Sequence, residues 1–241
     1  CMGVDSETCP LCASQSVACY HRDKQRPYLR CARCQLVFVP AANHLSATRE
    51  KAVYDRHENS PDDQGYRNFL SRLAVPLLER LPTRAQGLDF GSGPGATLSV
   101  MLEERGHEVV LYDLFYANDP AALETTYDFI TASEVVEHLS EPGAELQRLW
   151  GLLRPGGILG LMTKRVRNQA AFATWHYKAD PTHISFFSRA SFEFLGTGWG
   201  AEPAFVGDDV VLFRKSGDSA PRAGQGRMRP GFPPPPPVLN D

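Results

Sequence analysis

The chain has 241 residues, 42% hydrophobic and 22% charged, with a formal net charge of −3, which is enough apolar material for one main core plus a small module. That balance gives no global attraction to nucleic acid or anionic lipid. No apolar run approaches the roughly 18 residues of a membrane span, and CMGVDSETCP at the N-terminus lacks the apolar core of a signal peptide, so a cytoplasmic location is expected.

In chain order, residues 1–45 hold all six cysteines. Cys9-Pro-Leu-Cys12 and Cys31-Ala-Arg-Cys34 are two C-x2-C pairs separated by 18 residues, a spacing that lets two tight knuckles present four thiolates to one tetrahedral Zn2+. The segments VACY, YLRC and LVFV are short and β-prone, which makes this a zinc-ribbon pattern, with the metal as structural staple of a module too small to hold its own core. A disulfide framework fits a chain without an export signal poorly, and a redox site needs only one pair. Cys1 and Cys19 are left over and read as plain thiols. Arg22, Lys24, Arg26, Arg30 and Arg33, with Tyr20, His21 and Tyr28 among them, could hold nucleic acid by charge and stacking; a solvated face around the knuckles is the preferred reading.

Residues 46–86 read as a helical linker or cap. Ser60 is a candidate cap, Pro61 suits a first turn, and Asp63 falls at the capping-box position. Tyr66, Phe69, Leu70, Leu73, Leu77 and Leu81 then recur at helical spacing, with Pro76 expected to kink the helix. Just upstream, Tyr54, His57, Glu58 and Asn59 form a dense polar cluster that reads either as a solvated loop or as a lid over a neighbouring site.

Residues 87–215 alternate strand and helix. Gly87 to Phe90 is a buried-strand pattern, and ATLSVMLEER, ended by Gly106, is a helix, so the glycines of GLDFGSGPGA occupy a strand-to-helix turn where bare backbone meets a ligand. Gly91-Ser92-Gly93-Pro94-Gly95-Ala96 satisfies G-x-G-x-x-A, with Asp113 at the end of the next strand, HEVVLYD, so a dinucleotide and an NAD-dependent oxidoreductase are formally allowed. Asp89 argues against them. A carboxylate at the strand tip repels a pyrophosphate but suits a ligand with a cationic end, and Pro94 removes a backbone donor that a phosphate cradle would use. S-adenosylmethionine has that character: an ammonium, a sulfonium, no phosphate, and a ribose diol that Asp113 can bind.

DFGSGPG resembles motif I of the class I S-adenosylmethionine-dependent methyltransferases. Asp113 resembles their ribose-binding acid, and YDFITASEVVEHL followed by LLRPGGILGLMT resembles their fourth and fifth strand regions. The resemblance spans roughly residues 9–214 and is greatest to bacterial members that carry an N-terminal zinc ribbon on a core akin to the ubiquinone-type O-methyltransferases. It implies an α/β, Rossmann-like sheet with helices on both faces. It implies a cofactor site of Asp89, Gly91, Ser92, Gly93, Gly95, Asp113, Ser133 and Glu134.

The later segments agree. Tyr127 to Ala132 is a strand with Ser133, Glu134, Glu137 and His138 at its carboxyl end; Ser140 is expected to cap the next helix, and Ile158 to Met162 is the following strand. A helix is expected near Asn168 to Tyr177. Ala204–Val206 and Val210–Arg214 read as a C-terminal antiparallel hairpin closing the sheet. Only Leu114 to Tyr127 separates Asp113 from Asp128, room for one crossover of about 10–12 residues and not two. The third, edge strand is therefore expected to be missing, with Phe115 or Tyr116 stacking where the family holds adenine after that strand.

Methyl transfer from a sulfonium requires alignment and exclusion of water, with a general base only for a weakly nucleophilic acceptor. The candidate catalytic residues are His183, in the aromatic loop WHYKADPTHISFFS, and His138. The function expected is methylation of a small-molecule acceptor at O or N. A nucleic-acid-binding or nucleic-acid-modifying protein using the ribbon is the first alternative, and a cofactor-binding module without turnover another. Residues 216–241, ending GRMRPGFPPPPPVLND, read as a disordered Pro-rich tail.

Overall fold

The computed structural model describes residues 7–56 and 59–217. Cys1, His57, Glu58 and all but the first two residues of the Pro-rich tail lie outside the described residues.

The central sheet is built from β4 (Gln86–Phe90), β5 (Glu108–Tyr112), β6 (Tyr127–Ser133), β7 (Leu153–Met162), β9 (Ala204–Val206) and β10 (Val210–Arg214). Its order is β5-β4-β6-β7-β10-β9, parallel across the first four, with β10 antiparallel to both neighbours. The hairpin is the one the sequence predicts. Beyond β5, where a third strand would pair, the described residues contain no further strand. The chain instead makes a short turn at Pro120–Leu123, capped by the Asp119 carboxylate.

Both faces of this sheet are covered, which is why its strands read as continuous apolar runs. On one face lie α2 (Gln64–Leu78) and α3 (Thr97–Glu103): Leu70, Leu73, Leu77, Leu98 and Leu102 pack on Phe129, Ile158, Val210 and Leu212. The alternate residues Ile130, Leu159, Val211 and Phe213 face the other side, where α4 (Pro142–Leu152) and α6 (Arg189–Trp199) bury Leu146, Leu149, Phe192 and Leu195. Asp63, not Ser60, caps α2, accepting from the amides of Gly65 and Tyr66. Glu141 precedes α4 without a side-chain cap, so Ser140 does not act as one. The helix expected over Asn168–Tyr177 is shorter, α5 (Gln169–Ala173), with Asn168 as its cap.

The cysteine-rich segment forms β1 (Val17–Arg22), β2 (Pro27–Cys31) and β3 (Val37–Phe38), and this antiparallel sheet is completed by β8 (Ser185–Phe186) from the far end of the chain. Leu11, Leu29, Leu36 and the four knuckle cysteines share one apolar cluster with α4 and α6. The module is thus fused to the α/β core by both backbone pairing and packing. Cys19, expected as a plain thiol, is disulfide-bonded. Between the ribbon and the central sheet runs α1 (Ala47–Tyr54).

Candidate functional site

The turn after β4 owes its shape to its glycines. Gly91 and Gly93 have φ of +73° and +64°, the left-handed region open to glycine, and a Cβ on Gly91 would strike Val135. The Gly93 amide donates to Asp113 Oδ2 at 2.9 Å, while Asp113 Oδ1 accepts from the amides of Phe115 (2.8 Å) and Tyr116 (3.1 Å). One carboxylate therefore pins the glycine turn to the loop after β5. Asp89 is 3% exposed, its Oδ1 accepts from Thr131 Oγ1 at 2.8 Å on the neighbouring strand, and burial pushes its carboxyl up to about 7. Ser92 Oγ is buried with no hydrogen-bond partner among the described residues. Asp89, Gly91, Ser92, Gly93 and Asp113 are thus brought together at the carboxyl ends of β4 and β5. Two carboxyl groups and an open hydroxyl fit a ligand carrying positive charge and hydroxyls, and a pyrophosphate there would face both acids.

Gly95 is needed for a different reason. A Cβ there would collide with the Asn59 carbonyl, so the segment before α2 lies directly on the turn. Asn59 also donates to the Tyr66 hydroxyl at 3.3 Å. Tyr54 at the end of α1 packs edge-on against His138 (5.3 Å between centroids) and tilted against Phe115 (5.8 Å), and the Tyr116 hydroxyl donates to Asp55 at 2.7 Å. His57 and Glu58 of this stretch lie outside the described residues; Tyr54 and Asn59 lie against His138, Phe115 and the glycine turn.

At the carboxyl end of β6, Ser133 Oγ approaches Met162 Sδ at 3.7 Å. Glu134 has a φ of +54°, which in a non-glycine residue costs of order 1–3 kcal/mol. Its Oε2 accepts from the Tyr177 hydroxyl at 3.3 Å, and its Oε1 has no partner among the described residues. Glu137 is fully buried; its Oε1 accepts from the same Tyr177 hydroxyl and its Oε2 has no partner among the described residues. Burial pushes Glu134 up to about 7; burial first, and then the charge of Glu134, push Glu137 up to about 8.

His138 and His183 meet edge to face, 4.7 Å between centroids. His183 Nδ1 lies 2.7 Å from the Tyr177 carbonyl and His138 Nδ1 lies 3.2 Å from that of Thr182. Carbonyls only accept, so each Nδ1 carries a hydrogen. Desolvation holds His183 below its ordinary value, hence neutral at pH 7. The loop carrying His183 is fastened by a residue from the ribbon. Arg26, 5% exposed, donates to the carbonyls of Lys178 (3.1 Å), Asp180 (2.8 Å), Pro181 (2.8 Å) and His183 (2.8 Å), and to the Tyr28 hydroxyl (3.1 Å). Arg26 is therefore not part of a free basic face; Arg30 and Arg33 remain exposed, lying over the rings of Tyr20 and Phe194.

Cys9, Cys12, Cys31 and Cys34 are buried, with all four sulfurs within 4.8 Å of one another. Cys9 and Cys34 are 3.5 Å apart, Cys12 and Cys31 3.6 Å; a tetrahedron with zinc–sulfur bonds of about 2.3 Å has edges of about 3.8 Å, so the quartet fits zinc. Hydrogen bonds from Cys34 and Cys9 hold the Cys12 thiol down at about 2, while the bond to Cys12 raises both Cys9 and Cys34. Four thiols this close cannot all ionise without a cation among them.

The sequence pattern places Glu137 next to the site without a role, Tyr177 in the aromatic loop and Arg26 only in a basic face, and it gives Tyr66 no functional part. Tyr66 was hidden in the apolar stripe of α2, and the charges of Asp89 and Glu134, after burial, push its phenol up to about 12. Arg26 looked like one cation among five. A cavity of about 400 Å³ lies away from all of these, at the ribbon junction between Tyr20, Arg30, Arg167 and Arg189.

Comparison with known proteins bears on the family. An Escherichia coli (strain K12) tRNA 5-carboxymethoxyuridine methyltransferase is 36% identical over 112 residues, covering 36% of this chain and 42% of the relative. This chain thus spans about two fifths of that curated relative's length. Among solved structures, the Burkholderia thailandensis 1,6-didemethyltoxoflavin-N1-methyltransferase with bound 1,6-didemethyltoxoflavin and S-adenosylhomocysteine is similar at 19% identity and a TM-score of 0.48, covering 81% of this chain and 98% of that one. An S-adenosylmethionine-bound amino pentose methyltransferase from Micromonospora echinaspora is similar at 16% identity and a TM-score of 0.41, with 72% and 99% covered. A family described as "Methyltransferase domain" matches residues 62–202, more than half of the chain and the whole stretch from α2 through α6. By that match the chain belongs to the methyltransferase-domain family.

Proposed function

We propose that the chain transfers a methyl group from S-adenosylmethionine to a hydroxyl or amine of a small-molecule acceptor, and that a structural zinc in the cysteine quartet holds the acceptor side in place. The observation that carries this is the carboxylate of Asp113 clamped to the Gly93 amide, with Asp89 buried beside it. S-adenosylmethionine supplies a methyl carbon on a positively charged sulfur. Asp89 accepts from the ammonium end, directly or through water, and the free lone pairs of Asp113 accept from the ribose diol. Ser92 Oγ, Ser133 and Glu134 line the remaining wall. Phe115 and Tyr116, held by Asp113, face the region where the missing third strand would have brought an adenine contact. Tyr54 and the segment at Asn59 exclude water from above.

The acceptor enters beyond β6, where the Nε2 lone pair of His183 activates it, with His138 edge to face beside that ring. A nucleic-acid acceptor is the second reading, supported by the relative whose name is a tRNA methyltransferase. The burial of Arg26 removes one of the five cations on which that reading relied. Calorimetry tests the core of the proposal: S-adenosylmethionine and S-adenosylhomocysteine should bind with one site per chain and NAD should not. Binding of NAD in place of either adenosyl compound would reverse the assignment.

A further inference from the structure

We propose that Glu137, His138 and His183 form a second metal centre, separate from the cysteine quartet, which takes one divalent cation at the acceptor end of the cleft. The proposal deepens the methyltransferase reading and rests on it for its purpose, though not for its geometry.

Three observations converge. Ligand atoms from these residues all lie within 4.8 Å of one another, whereas the only other such group among the described residues is the cysteine quartet. Ligands about 2.1 Å from an ion stand about 3–4 Å apart, so rotation of the side chains closes the difference. Both imidazoles carry the orienting hydrogen bond that metal-bound histidines share: each Nδ1–H is directed at a backbone carbonyl, of Tyr177 at 2.7 Å and of Thr182 at 3.2 Å. In His183 that leaves the lone pair on Nε2. Finally, Glu137 is fully buried and its Oε2 has no hydrogen-bond partner among the described residues, an arrangement that costs free energy unless a ligand supplies the missing partner.

The local charge points the same way. Glu134 stands beside Glu137, the two bridged by the Tyr177 hydroxyl, and Glu134 Oε1 is also without a partner among the described residues. Nearby cations are engaged elsewhere: Lys164 lies over the Tyr177 ring beside His176, and Arg72 pairs with Asp209. Asp180 Oδ2, 3.9 Å from His183 Nε2, adds a third acid at the rim. Two imidazoles are redundant as general bases, but two imidazoles and a carboxylate on one side of an ion leave positions open for a substrate oxygen. Mixed nitrogen and oxygen donors favour a first-row ion such as Mn2+, Fe2+ or Zn2+ over Ca2+. An acceptor hydroxyl bound there loses its proton to water more readily. Its oxygen then bonds to the methyl carbon as the carbon–sulfur bond breaks and that electron pair returns to sulfur. The acceptor class that follows is an alcohol, phenol or enol with a second oxygen nearby to chelate.

The test uses the full chain with its zinc retained and Mn2+ as probe, since manganese does not compete for a thiolate quartet. Loss of the free-Mn2+ electron paramagnetic resonance signal should show one ion per chain. Glu137→Gln and His138→Gln should each weaken it at least tenfold, with the thermal midpoint confirming that each variant is folded; His138 is only half-buried and is the safer of the two. No uptake at millimolar Mn2+, or uptake unchanged in folded variants, overturns the proposal. S-adenosylmethionine calorimetry on the same samples without added ion separates the two failures: cofactor binding without Mn2+ uptake sinks only the metal centre, whereas Mn2+ uptake without cofactor binding sinks the methyltransferase reading.

Discussion

Arg26 shows how much a single side chain can determine. Its guanidinium satisfies four carbonyls of the loop that carries His183, a planar fork that an ammonium cannot reproduce. Arg26→Lys should lower turnover several-fold with cofactor affinity unchanged, and Arg26→Ala should cost about 2–4 kcal/mol by stranding buried carbonyls. Neutralising the exposed Arg30 and Arg33 should move stability by no more than about 0.5 kcal/mol, measured by denaturant titration alongside. Asp89 carries a pH dependence. Its carboxyl, raised to about 7 by burial, favours folding while protonated; that contribution is full below the ordinary value of 3.8 and is lost as pH rises through about 7. A cationic ligand reverses the preference. Cofactor affinity should therefore rise with pH up to about 7 and then level off, with proton release near pH 6.5 visible as buffer-dependent binding enthalpy. Asp89→Asn should abolish both the slope and the release. Asp89 and Asp113 could be singled out in the sequence because spacing after strands fixes where they stand. Arg26 could not, because its partners are carbonyls more than 150 positions away, which no side-chain pattern announces.

Among the elements, the alternating run from β4 to β10 was legible because continuous apolar strands and capped helices follow local rules. The missing third strand was legible by counting: fourteen residues cannot make two crossovers. α6 was not anticipated although its capping box, Ser188 with Ser191, and its left-handed terminator Gly200 were present, since its serine partner is a weaker signal than an acid. β8 was beyond reach: two residues have no periodicity, and only the edge of β3 makes them a strand. The contact between Gly95 and the Asn59 backbone belongs to this scale as well. Gly95→Ala should push the segment before α2 off the glycine turn, raising the rate of limited proteolysis between α1 and α2 and costing about 1–3 kcal/mol by overpacking. Unchanged protease sensitivity would show that the segment does not close the turn.

For the whole molecule, the fused core predicts cooperativity. The knuckle cysteines, Leu11 and Leu36 share one cluster with Leu149 and Phe192, so the ribbon has no separate interior to lose. Calorimetry should show one unfolding transition, shifted down as a unit when zinc is stripped, and not two; a low-temperature transition for residues 7–45 alone would contradict it. Among the described residues no helix is long and apolar enough to cross a membrane.

The pairing of Phe38 with Ser185 joins residues 147 positions apart. A growing chain exposes its cysteine knuckles early, and they can capture metal from purely local contacts, yet the strand that completes their sheet leaves the ribosome long afterwards. If zinc sits in the quartet as proposed, the nascent protein passes through a stage in which the knuckles are closed and the α/β half is still forming, with the loop that carries His183 joined to the ribbon last. Anything that delays this late closure would leave the proposed donor site formed and the proposed acceptor wall open.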